Sequence, residues 1–242
     1  MSAYLVIIPT YNERENIVQM IRAVMALPEN FDLLIVDDGS PDGTAQLVKE
    51  QQPLFPGRIW ITERSGKLGL GTAYLHGFQI GLEKGYTYLF EMDADFSHNP
   101  LDLSRLLAAC ITGGAEVAIG SRYVTGVNVV NWPMSRVLMS YYASVYVRFI
   151  TGMKIMDSTA GFKCFHRSVL EKILQKKIRF VGYAFQIEMK FRAVRAGFNV
   201  VEVPIIFTDR TAGTSKMSGG IIREAFFGVI WLKIMSWFSK AY

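Results

Sequence analysis

The sequence predicts an α/β fold, a mostly parallel central sheet flanked by helices. Three observations carry that expectation. Short apolar runs near residues 4–8, 33–36, 59–62, 89–92 and 116–122 alternate with stretches of helical periodicity, the β-α-β-α order that builds a parallel sheet. The runs are apolar almost throughout, as strands covered on both faces are. Several end in a polar or glycine-containing loop, and open α/β sheets bind ligands at that carboxyl edge.

In chain order, the first strand is closed by Pro9, and Asn12 to Glu15 resembles a capping box opening a helix with Ile17, Met20, Ile21 and Val24 on one face. The second strand ends in Asp37, Asp38 and Gly39, after which Ser40 and Pro41 can cap a helix over residues 44–50. A glycine-rich turn, residues 66–71, follows the third strand and leads to a helix whose Gly77 and Gly81 leave room for close packing. The fourth strand ends in Asp93 and Asp95. A helix over 101–111, a fifth strand, and a strand leading from residues 157–165 into a helix at 169–176 come next. Residues 183–191 read as a helix that sets Glu188 among apolar neighbours, and 200–207 as the last strand. Residues 209–216 form a cationic, glycine-containing loop.

Asp93 and Asp95 organise the rest. Two carboxylates one residue apart repel unless a positive charge joins them, and hard oxygen ligands suit Mg²⁺ or Mn²⁺ holding a diphosphate. A solvated acidic turn that caps the next helix is the plainer alternative. No Gly-x-Gly-x-x-Gly follows the first strand and no Walker loop is present, which removes the main support for dinucleotide and P-loop readings.

With 26 Lys plus Arg against 21 Asp plus Glu, the formal charge of +5 suits a phosphorylated ligand or an anionic lipid surface. No basic run or recognition motif points to nucleic acid. Cys110 and Cys164 lack metal-ligand spacing and read as free buried thiols of a reducing compartment. The chain opens on a strand, so no signal or transit peptide is expected and the catalytic region should face the cytosol.

Residues 133–150 set Arg136, Ser140, Ser144 and Arg148 in one polar stripe on an otherwise apolar, tyrosine-rich helix. Such a helix either lies in a membrane interface or edges the core. Residues 221–238 are apolar on nearly every face, yet their longest unbroken apolar stretch is far short of the ~18 residues a bilayer span needs. The chain therefore divides into a catalytic domain over 1–220, which includes the 133–150 helix, and a helix over 221–242 for a membrane surface or a partner.

Taken together, Pro9-Thr-Tyr-Asn-Glu13, Val36-Asp-Asp-Gly-Ser40, Leu68-Gly-Leu-Gly-Thr-Ala-Tyr74, Met92-Asp-Ala-Asp95 and Asp209-Arg210 with Gly213, Ser215 and Lys216 resemble the family-2 glycosyltransferases of GT-A fold. Within them the likeness is to the dolichyl- and polyprenyl-phosphate mannosyltransferases. The resemblance implies that Pro9, Tyr11, Glu13, Val36 and Asp38 form the nucleoside pocket, with Asp38 accepting from base or ribose. Pro9 and Val36 also fit a core role. It implies further that Asp93, Ala94 and Asp95 line the metal-diphosphate site, with Ser97 where some relatives carry a stronger third metal ligand. Arg210 and Lys216 would close over the diphosphate. Arg122, Arg136 and Ser140 would hold the acceptor phosphate, although Arg122 also fits a plain strand-end charge. His98 fits a supporting or capping role, and His76 and His166 suggest nothing special.

The implied reaction is inverting transfer of mannose from GDP-mannose to a polyprenyl monophosphate at the cytosolic membrane face, with Mg²⁺ or Mn²⁺, and with small membrane subunits as further partners. Asp95, Arg122 and Arg210 would be its catalytic residues. Three alternatives stay open: a UDP-glucose type donor, a non-catalytic nucleotide-sugar-binding subunit, and a nucleotidyltransferase, which would need a basic glycine-rich N-terminal loop absent here.

Overall fold

The computed structural model describes residues 2–209 and 219–238, with the backbone alone for residues 183 and 219–225. Its strands are β1 (Tyr4–Thr10), β2 (Asp32–Asp37), β3 (Ile59–Glu63), β4 (Tyr88–Glu91), β5 (Val117–Ser121), β6 (Val129–Val130), β7 (Lys163–His166), β8 (Val200–Pro204) and β9 (Phe207–Thr208). The helices are α1 (Ile17–Met25), α2 (Thr44–Gln51), α3 (Leu70–Glu83), α4 (Asp102–Ile111), α5 (Met134–Thr151), α6 (Arg167–Ile173), α7 (Tyr183–Arg195) and α8 (Gly219–Phe238).

Seven strands form one sheet in the order β3-β2-β1-β4-β7-β5-β8. All neighbours are parallel except β7, which runs antiparallel to both β4 and β5. The expected mostly parallel sheet is therefore present, with one reversed strand in its interior, between β4 and β5. β7 reverses because the chain after β5 first runs out through β6 and α5 and returns from the ligand-binding edge. Apolar side chains fill both faces of the sheet, as the unbroken runs require.

Glycines set the closest approach. A Cβ on Gly77 would stand 2.5 Å from Ile7 Cγ2, and one on Gly81 2.4 Å from Leu89 Cδ2, so α3 lies directly on β1 and β4 only because both positions are glycine. On α1, Ile17, Met20, Ile21 and Val24 are buried as the periodicity requires. The capping box before it does not form. Asn12 takes a left-handed φ of 58°, and the Asn12 and Glu13 amides donate to Ser40 Oγ and Thr44 Oγ1, so these residues knit the β1 loop to the β2 loop. Nor does Ser40 cap α2. Its hydroxyl and amide donate to Asp37, and Asp42 accepts from the Thr44 amide instead.

The expected strand over 200–207 is broken after Pro204. β9 leaves the sheet edge to pair in parallel with β6. Of residues 157–165, only Lys163 onward is strand; 157–161 is a loop. Glu188 is fully buried, as its position suggested. It pairs with Arg192 at 2.6 Å and accepts from the Arg179 and Phe180 amides.

α8 packs on α7 and α5. Val229 and Leu232 enter the core, and the Tyr146 hydroxyl donates to the Phe226 carbonyl across the α5–α8 seam. On their other faces these helices expose Met134, Leu138, Tyr142 and Phe149, and Phe227, Trp237 and Phe238. Among the described residues no helix is long and apolar enough to cross a membrane.

Candidate active site

The loops after β1, β2, β3 and β4 meet at one edge of the sheet. Asp38, nearly buried, follows β2, and Arg64, following the adjacent β3, reaches it with Nε and Nη2 both at 2.6 Å while its Nη1 donates to Thr72 at 2.8 Å. Arg64 thus fixes the carboxylate assigned to the nucleoside. It escaped the sequence reading because its partner is on a neighbouring strand, not in a neighbouring motif. Tyr11 lies under the Lys67 ammonium, 3.9 Å from ring centre. Pro9 is half-buried at the end of β1, whereas Val36 is fully buried in the core. The core alternative holds for the Val36 side chain, since it faces no open cleft.

Past β4 the chain turns sharply. Phe96 adopts a left-handed φ of 59°, a conformation that costs a bulky residue about 1–2 kcal/mol. The turn gathers Asp93, Asp95 and Ser97. Asp95 Oδ1 accepts from the Ser97 amide at 3.1 Å, and Asp93 Oδ1 accepts from the Tyr74 hydroxyl at 3.3 Å. Burial, and then the Asp93 charge, push the Tyr74 phenol well above its ordinary value, so it stays a proton donor. Tyr74 closes one of the motifs quoted above, yet nothing in the sequence showed its hydroxyl at Asp93.

His98 is buried, stacked on Phe162, and accepts from the Asp93 amide through Nδ1 at 3.3 Å. That bond puts its proton on Nε2. Burial lowers its pKa, against the pull of Asp93 and Asp95. His98 thus contacts the Asp93 turn through its main chain, in a position compatible with the expected supporting role.

Asp93 and Asp95 are partly exposed, and the Ser97 hydroxyl is buried without a hydrogen-bond partner among the described residues. Among the described residues no three His, Cys, Asp or Glu side chains form a closed metal cage. Two carboxylates with an orphaned hydroxyl beside them fit a hard divalent ion that shares its sphere with a diphosphate and water, because such ions take one or two carboxylates plus substrate oxygens. Ala94 is buried between them.

Beside Asp93 opens a cavity of about 480 Å³. Its lining is largely apolar, including Leu70, Met139, Tyr146, Ile187 and Phe226, and it carries polar groups from Asp93, His98, Arg122, Arg136, Ser140 and Gln186. All three residues expected at the acceptor phosphate therefore share one chamber with Asp93. Arg122 does not stand as a plain strand-end charge. Its Nε and Nη2 each lie 2.7 Å from the buried Asp157 carboxylate, and Nη2 also donates to Thr159. Burial would raise the Asp157 pKa, but Arg122 outweighs it and holds the carboxyl below the usual range. Arg136 stacks 4.0 Å from the Trp132 ring centre and pairs with Asp209 at 2.9 Å. Arg210 and Lys216 lie outside the described residues.

Beneath the chamber is a buried polar group without precedent in the sequence reading. Glu91 accepts from Lys163 at 2.9 Å and from Gln186 at 2.8 Å, and Lys163 also contacts the Gln186 carbonyl. Burial pushes Glu91 up and Lys163 down, each opposed by the other's charge. Cys110 and Cys164 are free and buried, as expected, with Sγ atoms 3.6 Å apart.

The chain is 52% identical over 225 residues to the polyprenol monophosphomannose synthase of Mycolicibacterium smegmatis, covering 93% of this chain and 84% of that protein. It is 46% identical over 226 residues to the undecaprenyl-phosphate mannosyltransferase of Micrococcus luteus, covering 93% and 91%. Among solved structures, glucosyl-3-phosphoglycerate synthase from Mycobacterium tuberculosis, in complex with Mn²⁺, UDP-glucose and phosphoglyceric acid, superposes with a TM-score of 0.69. That match covers 95% of this chain and 79% of the other at 16% identity, and establishes the GT-A-like fold. Residues 5–174 match glycosyl transferase family 2, and with the sheet, the Asp93–Asp95 turn and these relatives in agreement, the chain belongs to that family.

Proposed function

We propose that the protein transfers mannose from GDP-mannose to the phosphate of a polyprenyl monophosphate, with inversion, at the cytosolic face of a membrane. The observation that carries this reading is the single chamber in which Asp93 meets Arg122, Arg136 and Ser140 against apolar walls. A phosphate with a long hydrocarbon tail matches both halves of that lining. The relatives' names supply the sugar and the lipid class.

The nucleoside would lie over Tyr11, Glu13 and Asp38, with Asp38 held in place by Arg64. Asp93 and Asp95, with Ser97, would hold Mg²⁺ or Mn²⁺. Bound there, the ion supplies positive charge to the departing diphosphate. Arg210 and Lys216 would add charge from the loop that follows Asp209.

No general base is needed. A phosphate monoester has a second pKa of about 6, so near neutral pH it arrives as a dianion. One phosphate oxygen attacks the anomeric carbon, the bond from that carbon to the diphosphate oxygen breaks, and the electron pair leaves on GDP. Arg122 and Arg136 orient the attacking dianion. Arg122 is held rigidly by Asp157, so little order is lost when substrate arrives. The cavity opens between α5 and α8, where Met139 and Phe226 are both exposed and cavity-lining, which lets the tail pass to the apolar outer faces of the same helices. Those faces are the proposed membrane contact.

The test is a transfer assay pairing GDP-mannose and UDP-glucose with polyprenyl phosphate, with and without chelator. Mannosyl transfer from GDP-mannose that chelator abolishes is the expected result. Preference for UDP-glucose would reassign the donor, and no transfer from either would overturn the enzymatic reading of this chamber.

A further inference from the structure

One wall of the chamber is main chain. Thr159, Ala160 and Gly161, from the loop between α5 and β7, all face the cavity. Behind this loop stands Lys190 of α7, fully buried, with Nζ 2.8 Å from the Ser158 carbonyl oxygen and 2.7 Å from that of Ala160. Lys163 adds a longer contact to the Ala160 carbonyl at 3.4 Å. Lys190 has no carboxylate within ion-pair distance among the described residues. Burial, and then the Lys163 charge, push the Lys190 pKa well below its ordinary value, and in either protonation form Nζ has the protons to donate to both carbonyls.

Its geometric consequence follows from the planar trans peptide. No peptide bond in the described chain is cis. In a trans unit the N–H points opposite to the C=O. Drawing the Ser158 and Ala160 carbonyls onto Lys190 Nζ therefore turns the next two N–H groups, those of Thr159 and Gly161, to the other side, where the cavity lies. Neither N–H donates to any atom among the described residues. Thr159 and Gly161 are both partly exposed and line the cavity, so these two donors, on either side of Ala160, are open to a ligand oxygen there.

We propose that the Thr159 and Gly161 amides, turned outward by Lys190, form with Arg122 a binding site for a phosphomonoester dianion, the acceptor headgroup. The inference rests on the acceptor being a lipid phosphate. Main-chain donors in a concave wall bind anions well, since their dipoles are fixed before the ligand arrives. The wall is braced on every side. Glu202 accepts from the Met156 and Asp157 amides, and Asp157 holds Arg122, which holds Thr159 Oγ1. Gly161 also lies against His98 and Gln186: a Cβ there would stand 3.9 Å from His98 Cε1. The amides therefore flank the same region as Asp93. Lys190 is a positioning residue in this scheme, touching no substrate.

The experiment has two arms. In the first, Lys190→Met is assayed for transfer with both substrates varied. The expected result is a rise of about tenfold in KM for polyprenyl phosphate, the cost of losing the two buried hydrogen bonds that orient the wall, with KM for the nucleotide sugar within about twofold. An equal rise in both, or none, in a folded variant overturns the proposal. In the second, the wild-type protein is labelled with ¹⁵N and titrated with geranyl monophosphate, then separately with GDP and Mg²⁺. The Thr159 and Gly161 amide signals should move with the monophosphate and stay with the nucleotide. If they move only with the nucleotide, or with neither, the site does not take the acceptor, whatever Lys190→Met does to folding. Wild-type protein that transfers to no lipid phosphate would instead sink the underlying reading.

Discussion

The two ends of the cleft handle charge in opposite ways. At the end proposed for the nucleotide, carboxylates close the loops that carry them: Asp37 accepts from Thr10 and Ser40, Asp42 from Thr44 and Arg14, and Asp38 pairs with Arg64 from the loop after the next strand. Asp93 and Asp95 stay partly exposed at the rim. At the end proposed for the acceptor, the charges have moved inside. Glu91 with Lys163, Asp157 with Arg122, and Glu188 with Arg192 are buried pairs, and the chamber above them is mostly apolar. One end leaves carboxylates within reach of solvent. The other pairs its charges internally, which holds Arg122 at a fixed position beside a mostly apolar chamber.

This contrast can be broken most decisively at Asp95. Asp95→Asn keeps the oxygen that accepts from the Ser97 amide, so the turn should survive and the melting temperature should hold within a few degrees. Turnover should fall at least about 100-fold, since charge stabilisation at the leaving group is lost. A near-normal rate would mean the rim carboxylates serve the turn alone. Arg136→Ala tests the other end. It removes a partly exposed guanidinium stacked on Trp132, and KM for polyprenyl phosphate should rise about tenfold while KM for the nucleotide sugar stays nearly constant. A change confined to the nucleotide sugar would move Arg136 to the donor side and erase the distinction.

The same contrast governs what could be read in the sequence. Asp93 and Asp95 announce themselves because their chemistry is local: two acids one residue apart at the end of an apolar run. The strands were legible for a similar reason, each being a contiguous run. The bracing was not. Lys163 reaches Glu91 across 72 positions and Arg122 reaches Asp157 across 35. Such pairs exist only after β7 has threaded backwards between β4 and β5, and nothing in its short sequence signals that reversal. Lys190 shows the same limit: nothing in the 183–191 stretch singles it out, and only the fold buries it. The capping box at Asn12 to Glu15 misled for a complementary reason, because a polar tetrapeptide that could cap its own helix is used to tie two loops together.

The weakest expected effect concerns the outer faces of α5 and α8, where the contrast between polar rim and apolar chamber continues onto the surface. Phe149 is 84% exposed and makes no part of the chamber lining, so its removal should touch neither packing nor chemistry. If the face meets lipid, burying that ring in the interface contributes at most about 1.5–3 kcal/mol, and less for a ring left partly in the headgroups. Phe149→Ser should therefore weaken partition onto vesicles of anionic phospholipid by about threefold to tenfold, read by sedimentation, with the melting temperature unchanged. Transfer to geranyl monophosphate in the absence of vesicles should be unaffected, because that acceptor does not require a membrane to reach Arg122. Unchanged partition would detach α5 from the membrane and leave the contact to α8, where Trp237 and Phe238 are exposed on a helix that α5 and α7 cover on its other side.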